Sequence, residues 1–191
     1  MIAITFKFNN DKKTEQKLWS QCKPNKIGNP GTVKHLTILP LIEYYSDPTI
    51  QNLCTEPGVS YLITADDKKI LFDVGYNKNQ KHPSPLLKNM DKLAKNINDI
   101  DSIFITHFHR DHIGGSRNEL YKTSSISASD ISLNGMKVYS PAPISCSTAT
   151  TNIEVVNEPR VLSDGIVSTG SIHKALWLMG LTPEQSLAIN V

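Results

Sequence analysis

The sequence predicts an α/β domain in which strands and a helix are arranged in layers. The clearest hairpin pairs residues 59–64 with residues 69–74 across a turn that contains two aspartates. Residues 84–97 then carry apolar side chains at spacings of three and four, which is typical of an amphipathic helix. A short apolar strand at residues 103–105 follows. Strands, a helix and a further strand in this order indicate a layered α/β unit.

The remaining segments are less regular. Residues 1–32 are polar and rich in turn formers, so we expect an N-terminal extension that is poorly ordered or forms a short helix at residues 14–22. The domain itself is predicted to span residues 33–191, with a first strand that stops at Pro40. The serine-rich stretch at residues 123–134 predicts an exposed loop or a poorly ordered insertion. Later strands are predicted at residues 137–140, 152–156, 160–162, 165–169 and 187–191.

Composition excludes several classes of protein. The chain has 191 residues, which suits one domain, and its 20 basic residues nearly balance 18 acidic ones. Such a balance argues against a nucleic-acid partner, and no apolar run approaches the ~20 residues that span a bilayer. Three widely spaced cysteines do not suggest a disulfide framework, and the N-terminus does not resemble a signal peptide. We therefore expect a cytoplasmic protein.

Residues 106–115 contain the motif that carries chemistry. His107, His109, Asp111 and His112 follow the apolar strand directly, where the chain leaves the sheet. In an extended segment residues i and i+2 face the same side, so His107 and His109 can bind one metal ion. Asp111 and His112 follow as the chain turns and can face a second ion. Imidazole and carboxylate ligands suit zinc, with iron or manganese as alternatives.

The same residues resemble a known family. His-x-His-x-Asp-His after a short apolar strand resembles the signature of the metallo-β-lactamase superfamily, and Asp73-Val74-Gly75 resembles its upstream Asp-x-Gly motif. A finer resemblance is to the 7,8-dihydropterin-6-yl-methyl-4-(β-D-ribofuranosyl)aminobenzene 5′-phosphate synthase-like branch. It lies in residues 58–63, 69–75, 157–160 and 168–172.

The resemblance implies an αββα sandwich with two zinc ions at one edge. It assigns His107 and His109 to the first ion and Asp111 and His112 to the second. Asp73 is then expected beneath the metal loop, where it orients the motif without binding metal.

A complete site of this family has further ligands downstream. The chain offers one later histidine, His173, which we expect at a pocket rim or on the surface before a helix-like apolar run; the alternative is that it is a ligand. The ~160 residues after the extension are few for a fold that typically fills ~200–250 residues, so the sequence suggests that C-terminal strands are missing.

Two functions follow as expectations. The first is a metal-dependent hydrolase in which a metal-bound hydroxide attacks a phosphate, ester, lactone or related small-molecule substrate, with phosphorylated substrates included. Asp111 would orient that hydroxide and accept its proton. The second is a non-catalytic metal-binding fragment or pseudoenzyme, because the downstream ligands are lacking. The sequence does not decide oligomeric state.

Overall fold

The computed structural model describes residues 2–23, 26–133, 135–146 and 152–191. Its α-helices are α1 Ile2–Gln21, α2 Pro85–Lys92 and α3 Ser116–Tyr121, and a 3₁₀ turn covers Ile97–Asp99. The strands are β1 Leu36–Ile42, β2 Ser60–Ala65, β3 Lys68–Phe72, β4 Ser102–Phe104, β5 Thr123–Ser124, β6 Lys137–Ser140, β7 Ser145–Cys146, β8 Asn152–Val155, β9 Arg160–Ser163, β10 Ile166–Ser168, β11 Ile172–Leu176, β12 Gly180–Glu184 and β13 Leu187–Ile189.

A six-stranded sheet in the order β1-β2-β3-β4-β6-β8 forms the centre of the molecule. β1, β2 and β3 are antiparallel neighbours, whereas β3, β4, β6 and β8 run parallel. Successive side chains on one strand pack into two different apolar clusters. On β4, Ile103 lies in one cluster and Phe104 in the other. Because both faces of the sheet are covered, apolar side chains of its central strands are buried on both faces, as expected for parallel strands.

A smaller sheet covers one face of the large one. β13, β10 and β9 form this three-stranded antiparallel sheet. Ile166 on β10 lies in one apolar cluster with Phe104 and Tyr139 of the large sheet, and both Ile166 and Phe104 are fully buried. The two sheets therefore pack face to face around a shared core.

Helix α2 covers the opposite face. Leu86 and Met90 lie in one apolar cluster with Leu71 and Ile103. Ser84 caps the helix by accepting a hydrogen bond from the backbone N–H of Leu87. Helix on sheet and sheet on sheet confirm the predicted α/β class.

Several boundaries differ from the sequence-based expectations. The helix predicted over residues 84–97 ends at Lys92, because Ala94 adopts a left-handed conformation with φ of 52°. Strand β1 continues through Pro40, where the prediction ended it. A proline is tolerated there because β1 is an edge strand of the sheet.

The N-terminal segment departs further from expectation. Helix α1 spans Ile2–Gln21, whereas the sequence predicted at most a short helix at residues 14–22. It packs on the β11–β12 hairpin, with Phe8 edge-on to Trp177 at 5.1 Å between ring centroids. Local helix propensity does not include contacts with residues so distant in sequence, so it could not predict this helix. None of the described helices is long and apolar enough to cross a membrane.

Two further expectations are wrong. The serine-rich stretch is not simply an exposed loop, because Ile126, Ser127 and Leu133 are buried. The apolar run after His173 is not helical: it forms β11 and the tip of the hairpin, where Trp177 and Leu178 remain exposed.

Glu15 joins α1 to the hairpin, and its replacement tests that contact. Its nearly buried carboxylate accepts a hydrogen bond of 3.1 Å from the backbone N–H of Ala175 and one of 2.9 Å from Lys12. We expect Glu15→Ala to loosen α1, because the Ala175 N–H loses its partner. Limited trypsin digestion should cut the helix several-fold faster than in wild type. The exposed neighbour Gln16→Ala is the control, and equal cleavage of both variants would contradict the contact.

Candidate functional site

The histidine loop begins where the central parallel strands end. Its residues follow β4, and Asp73 follows the neighbouring parallel strand β3. The carboxyl ends of parallel strands meet at one edge of a sheet, which is the usual place for a ligand site in α/β folds. Backbone hydrogen bonds fix the two segments together: the Asp73 N–H donates to Phe104 O at 2.8 Å, and the Val74 N–H donates to His112 O at 2.9 Å.

Asp73 anchors the loop from below. Its side chain is completely buried, and its Oδ1 accepts the backbone N–H of Thr106 at 2.8 Å. Its Oδ2 accepts the Thr106 hydroxyl and His112 Nδ1, each at 2.7 Å. One carboxylate thus holds both ends of the motif. The contacts agree with the position expected for Asp73, while its orienting role in catalysis remains a prediction.

These hydrogen bonds determine which ring nitrogens carry protons. The Thr106 hydroxyl donates to Asp73, so it accepts from His107 Nδ1–H at 2.9 Å. The Nε2 of a neutral His107 then carries no proton, so it accepts a hydrogen bond from His109 Nδ1–H at 2.9 Å. The chain of bonds ends at His109 Nε2, which is buried and has no hydrogen-bond partner. A buried ring nitrogen without a partner is unfavourable unless a cation or a ligand satisfies it.

Electrostatics support a neutral His107. Burial, followed by the charges of His112 and His109, lowers the pKa of His107 to about 3. The ring is therefore neutral at pH 7, which is the form that binds metals.

The pKa of His112 is instead raised. Burial lowers it, but the hydrogen bond and charge of Asp73 outweigh burial, helped by the charges of Asp111 and Glu184. Complete burial raises the pKa of Asp73, while the bonds from His112 and Thr106 act against that rise.

Asp111 stands at the open side of the loop. Its side chain is 41% exposed, and its Oδ2 lies 3.6 Å from His112 Nε2. The backbone oxygen of Asp111 accepts the Val59 N–H at 3.3 Å. A Cβ on Gly58 would lie 2.3 Å from that same oxygen, so only glycine allows the two backbones to approach this closely.

The structure brings most of the predicted site residues together. The ring centroids of His107 and His112 lie 4.0 Å apart, and those of His107 and His109 lie 4.4 Å apart. Asp73 and Asp111 lie beside His112. His173 is elsewhere. It pairs with Pro183 in the hairpin and lines a cavity of about 160 Å³ against α1. Among the described residues no hydrogen bond, ion pair or ring contact links His173 to the loop.

Sequence patterns did not predict Gln185, which nevertheless holds the loop in place. This buried residue donates its backbone N–H to Thr106 O at 2.9 Å and its Nε2–H to Ile105 O at 2.7 Å. Its Oε1 accepts the Ser168 hydroxyl at 3.0 Å, which ties the loop to the smaller sheet. Eighty residues separate Gln185 from Ile105, and no local pattern signals a contact over that distance.

The side chains of the loop are of the types that bind metal ions. Neutral imidazole nitrogens and carboxylate oxygens are common zinc ligands. A bound ion would also satisfy the lone pair of His109 Nε2, which has no hydrogen-bond partner. In the part of the chain that the structure describes, no three histidine, cysteine, aspartate or glutamate side chains converge as a ligand group. His107 and His109 are instead hydrogen-bonded to each other.

The close approach at Gly58 can be tested by one methyl group. We expect Gly58→Ala to lower the free energy of unfolding by about 1–3 kcal/mol, because the new Cβ collides with Asp111 O and the loop must shift. Chemical denaturation measures the change. Gly28→Ala is the matched control, since a Cβ there meets nothing within 4 Å. Equal stability of both variants and wild type would show that Gly58 does not support the loop.

Comparison with known proteins bears on this site. Residues 55–123 match the family model described as "Metallo-beta-lactamase superfamily". No curated protein matches the chain.

Solved structures give weaker similarities. A quorum-quenching N-acyl homoserine lactone lactonase is 18% identical, with 83% of this chain and 69% of that chain covered and a TM-score of 0.46. A metallo-β-lactamase fold protein from Bacillus subtilis is 11% identical, with 81% and 59% covered and a TM-score of 0.45. A metallo-β-lactamase from Cronobacter sakazakii is 21% identical, with 68% and 51% covered and a TM-score of 0.40.

All three TM-scores lie below 0.5, so these similarities decide neither fold nor function. The family model spans both Asp73 and the complete histidine motif. The segment that builds the site, residues 55–123, therefore matches the metallo-β-lactamase superfamily.

Proposed function

We propose that this chain is a metal-dependent hydrolase whose active site is the histidine loop. The observation that carries the proposal is the hydrogen-bond chain from buried Asp73 through Thr106, His107 and His109, which ends at an unpartnered ring nitrogen. Preorganised imidazoles with a free donor atom favour metal binding over a purely structural role. The family-model match over the same residues supports this function.

His107, His109, Asp111 and His112 are the residues that would hold metal. The proposal includes two ions, with zinc favoured by the three imidazoles and iron or manganese as alternatives. A bound ion supplies a Lewis acid that polarises the scissile bond and acidifies water.

The chain's own residues then have separate roles. Asp111, with its half-exposed carboxylate, orients the attacking water and accepts its proton at Oδ2. Asp73 and Thr106 keep the rings of His112 and His107 in place through hydrogen bonds of 2.7 Å and 2.9 Å. His173 is given no role, because no described hydrogen bond, ion pair or ring contact joins it to the loop.

The substrate class is a proposal from sequence resemblance. The general class includes phosphate, ester and lactone centres, all of which need a stabilised oxyanion. The finer resemblance at residues 58–63 and 69–75 favours a small phosphorylated substrate of pterin-like or aryl-amine type.

A non-catalytic metal-binding role is the second candidate. It is favoured by the lack of a converging group of three ligands among the described residues. Metal binding without turnover of any substrate class would support this candidate.

Replacement of either paired imidazole tests the proposed function. We expect His107→Ala and His109→Ala to lower zinc affinity at least tenfold, because each removes a donor atom from the loop. Hydrolysis of bis(p-nitrophenyl) phosphate, p-nitrophenyl acetate and a γ-lactone should fall about 100-fold in kcat/KM for whichever substrate the wild type turns over. Zinc affinity is measured by calorimetry on chelator-treated protein.

His35→Ala is the matched control, because His35 is exposed and its recorded hydrogen bonds use only backbone atoms. It should keep wild-type zinc affinity and activity. Full activity in the His107 or His109 variant would refute the hydrolase proposal.

A further inference from the structure

A polar cavity adjoins the end of the histidine loop. Its volume is about 360 Å³, which falls within the ~300–1,000 Å³ of small-molecule sites. Gln80 lines the cavity next to Gly115, since a Cβ on Gly115 would lie 2.6 Å from Gln80 Nε2. The rest of the lining comes mainly from α3 and the segment after it, and it includes Arg117, Asn118, Tyr121, Thr123, Ser125 and Asp130.

Hydrogen bonds fix the polar groups at the base of this cavity. Asn118 is buried, and its amide donates to Ile113 O and to Ser125 Oγ, both at 2.8 Å. Its Oδ1 accepts the hydroxyl of Thr123 at 3.0 Å. Because Ser125 Oγ accepts in this network, its own proton can be donated to a ligand, and the lone pairs of Thr123 Oγ1 can accept from one. The base of the cavity is therefore preorganised for polar contacts.

Two opposite charges line the cavity without pairing. Arg117 and Asp130 are exposed, and none of the ion pairs between described residues involves either of them. The Arg117 guanidinium lies 6.0 Å from the centroid of the Tyr121 ring, a contact that favours one position of its charge. A ligand that complements both side chains must carry one negative and one positive group.

The chemistry of the lining narrows the class of that ligand. A guanidinium matches the planar fork of a carboxylate, so the negative group suits Arg117. Asp130 attracts an ammonium group, whereas it would repel the double charge of a phosphate. Hydroxyl and amide groups at the base disfavour an acyl chain, which would leave them without partners. A carboxylate and an ammonium group on one small polar molecule meet all three conditions.

We propose that this cavity binds a zwitterionic small molecule, an amino acid or a short peptide, with its carboxylate on Arg117 and its ammonium group on Asp130. Ser125 and Thr123 would contact the polar atoms between the two charges. The inference goes beyond the proposed function, because none of these four residues is among the proposed metal ligands. It can therefore be tested on metal-free protein.

Titration followed by ¹H–¹⁵N NMR tests this site on the full chain. Chelator-treated wild type is titrated with glycine, glycylglycine, glycylglycinamide and N-acetylglycylglycine; chelation prevents the peptides from binding through a metal ion. We expect saturable shifts at residues 115–130 with glycine or glycylglycine, and the tighter of the two reports the spacing of the charges. Glycylglycinamide lacks the carboxylate and N-acetylglycylglycine lacks the ammonium group, so each should bind about tenfold more weakly than glycylglycine.

Two charge-removing variants assign the contacts. In Arg117→Gln the affinity for glycylglycine should fall to that of wild type for glycylglycinamide. In Asp130→Asn it should fall to that of wild type for N-acetylglycylglycine. Both side chains are exposed, so neither replacement should unfold the chain. Arg160→Gln is the matched control, because Arg160 pairs with Glu154 on another strand and should leave the affinity unchanged.

The outcomes separate this inference from the proposed function. Absence of saturable shifts with both glycine and glycylglycine in wild type would overturn the inference. Equal binding of all three peptides, or wild-type affinity for glycylglycine in either Arg117→Gln or Asp130→Asn, would overturn it as well. None of these results affects the hydrolase proposal, whose test depends on zinc affinity and turnover.

Discussion

One buried carboxylate holds the whole site together. Asp73 has no contact with solvent, yet it accepts hydrogen bonds from the backbone and hydroxyl of Thr106 and from His112. A buried charge is tolerated only when hydrogen bonds satisfy it, so the loop must adopt the one conformation that supplies these donors. The position of Asp73 depends in turn on the parallel pairing of β3 with β4, which brings the ends of both strands to one edge.

The same constraint reaches the atoms that we propose to bind metal. Since Thr106 gives its proton to Asp73, it can only accept from His107, and this leaves His107 Nε2 without a proton. Burial keeps that ring neutral by lowering its pKa to about 3. A single carboxylate at the base of the loop therefore determines the protonation of imidazole nitrogens several ångströms away.

Patterns confined to short segments were predictable from the sequence. The β2–β3 hairpin, strand β4 and the histidine motif were all found, because period, turn residues and ligand spacing are local properties. Contacts between distant segments were not. Helix α1 depends on the β11–β12 hairpin, and Gln185 reaches the loop over 80 residues of sequence.

The protonation state of His107 is the most direct test of this account. Long-range ¹H–¹⁵N NMR of the histidine ring nitrogens at pH 7, on metal-free wild type, reports which nitrogen carries the proton. We expect a neutral His107 with the proton on Nδ1 and none on Nε2, because Asp73 accepts the proton of Thr106 and Thr106 in turn accepts that of His107 Nδ1. A proton on Nε2, or a doubly protonated ring at pH 7, would contradict it.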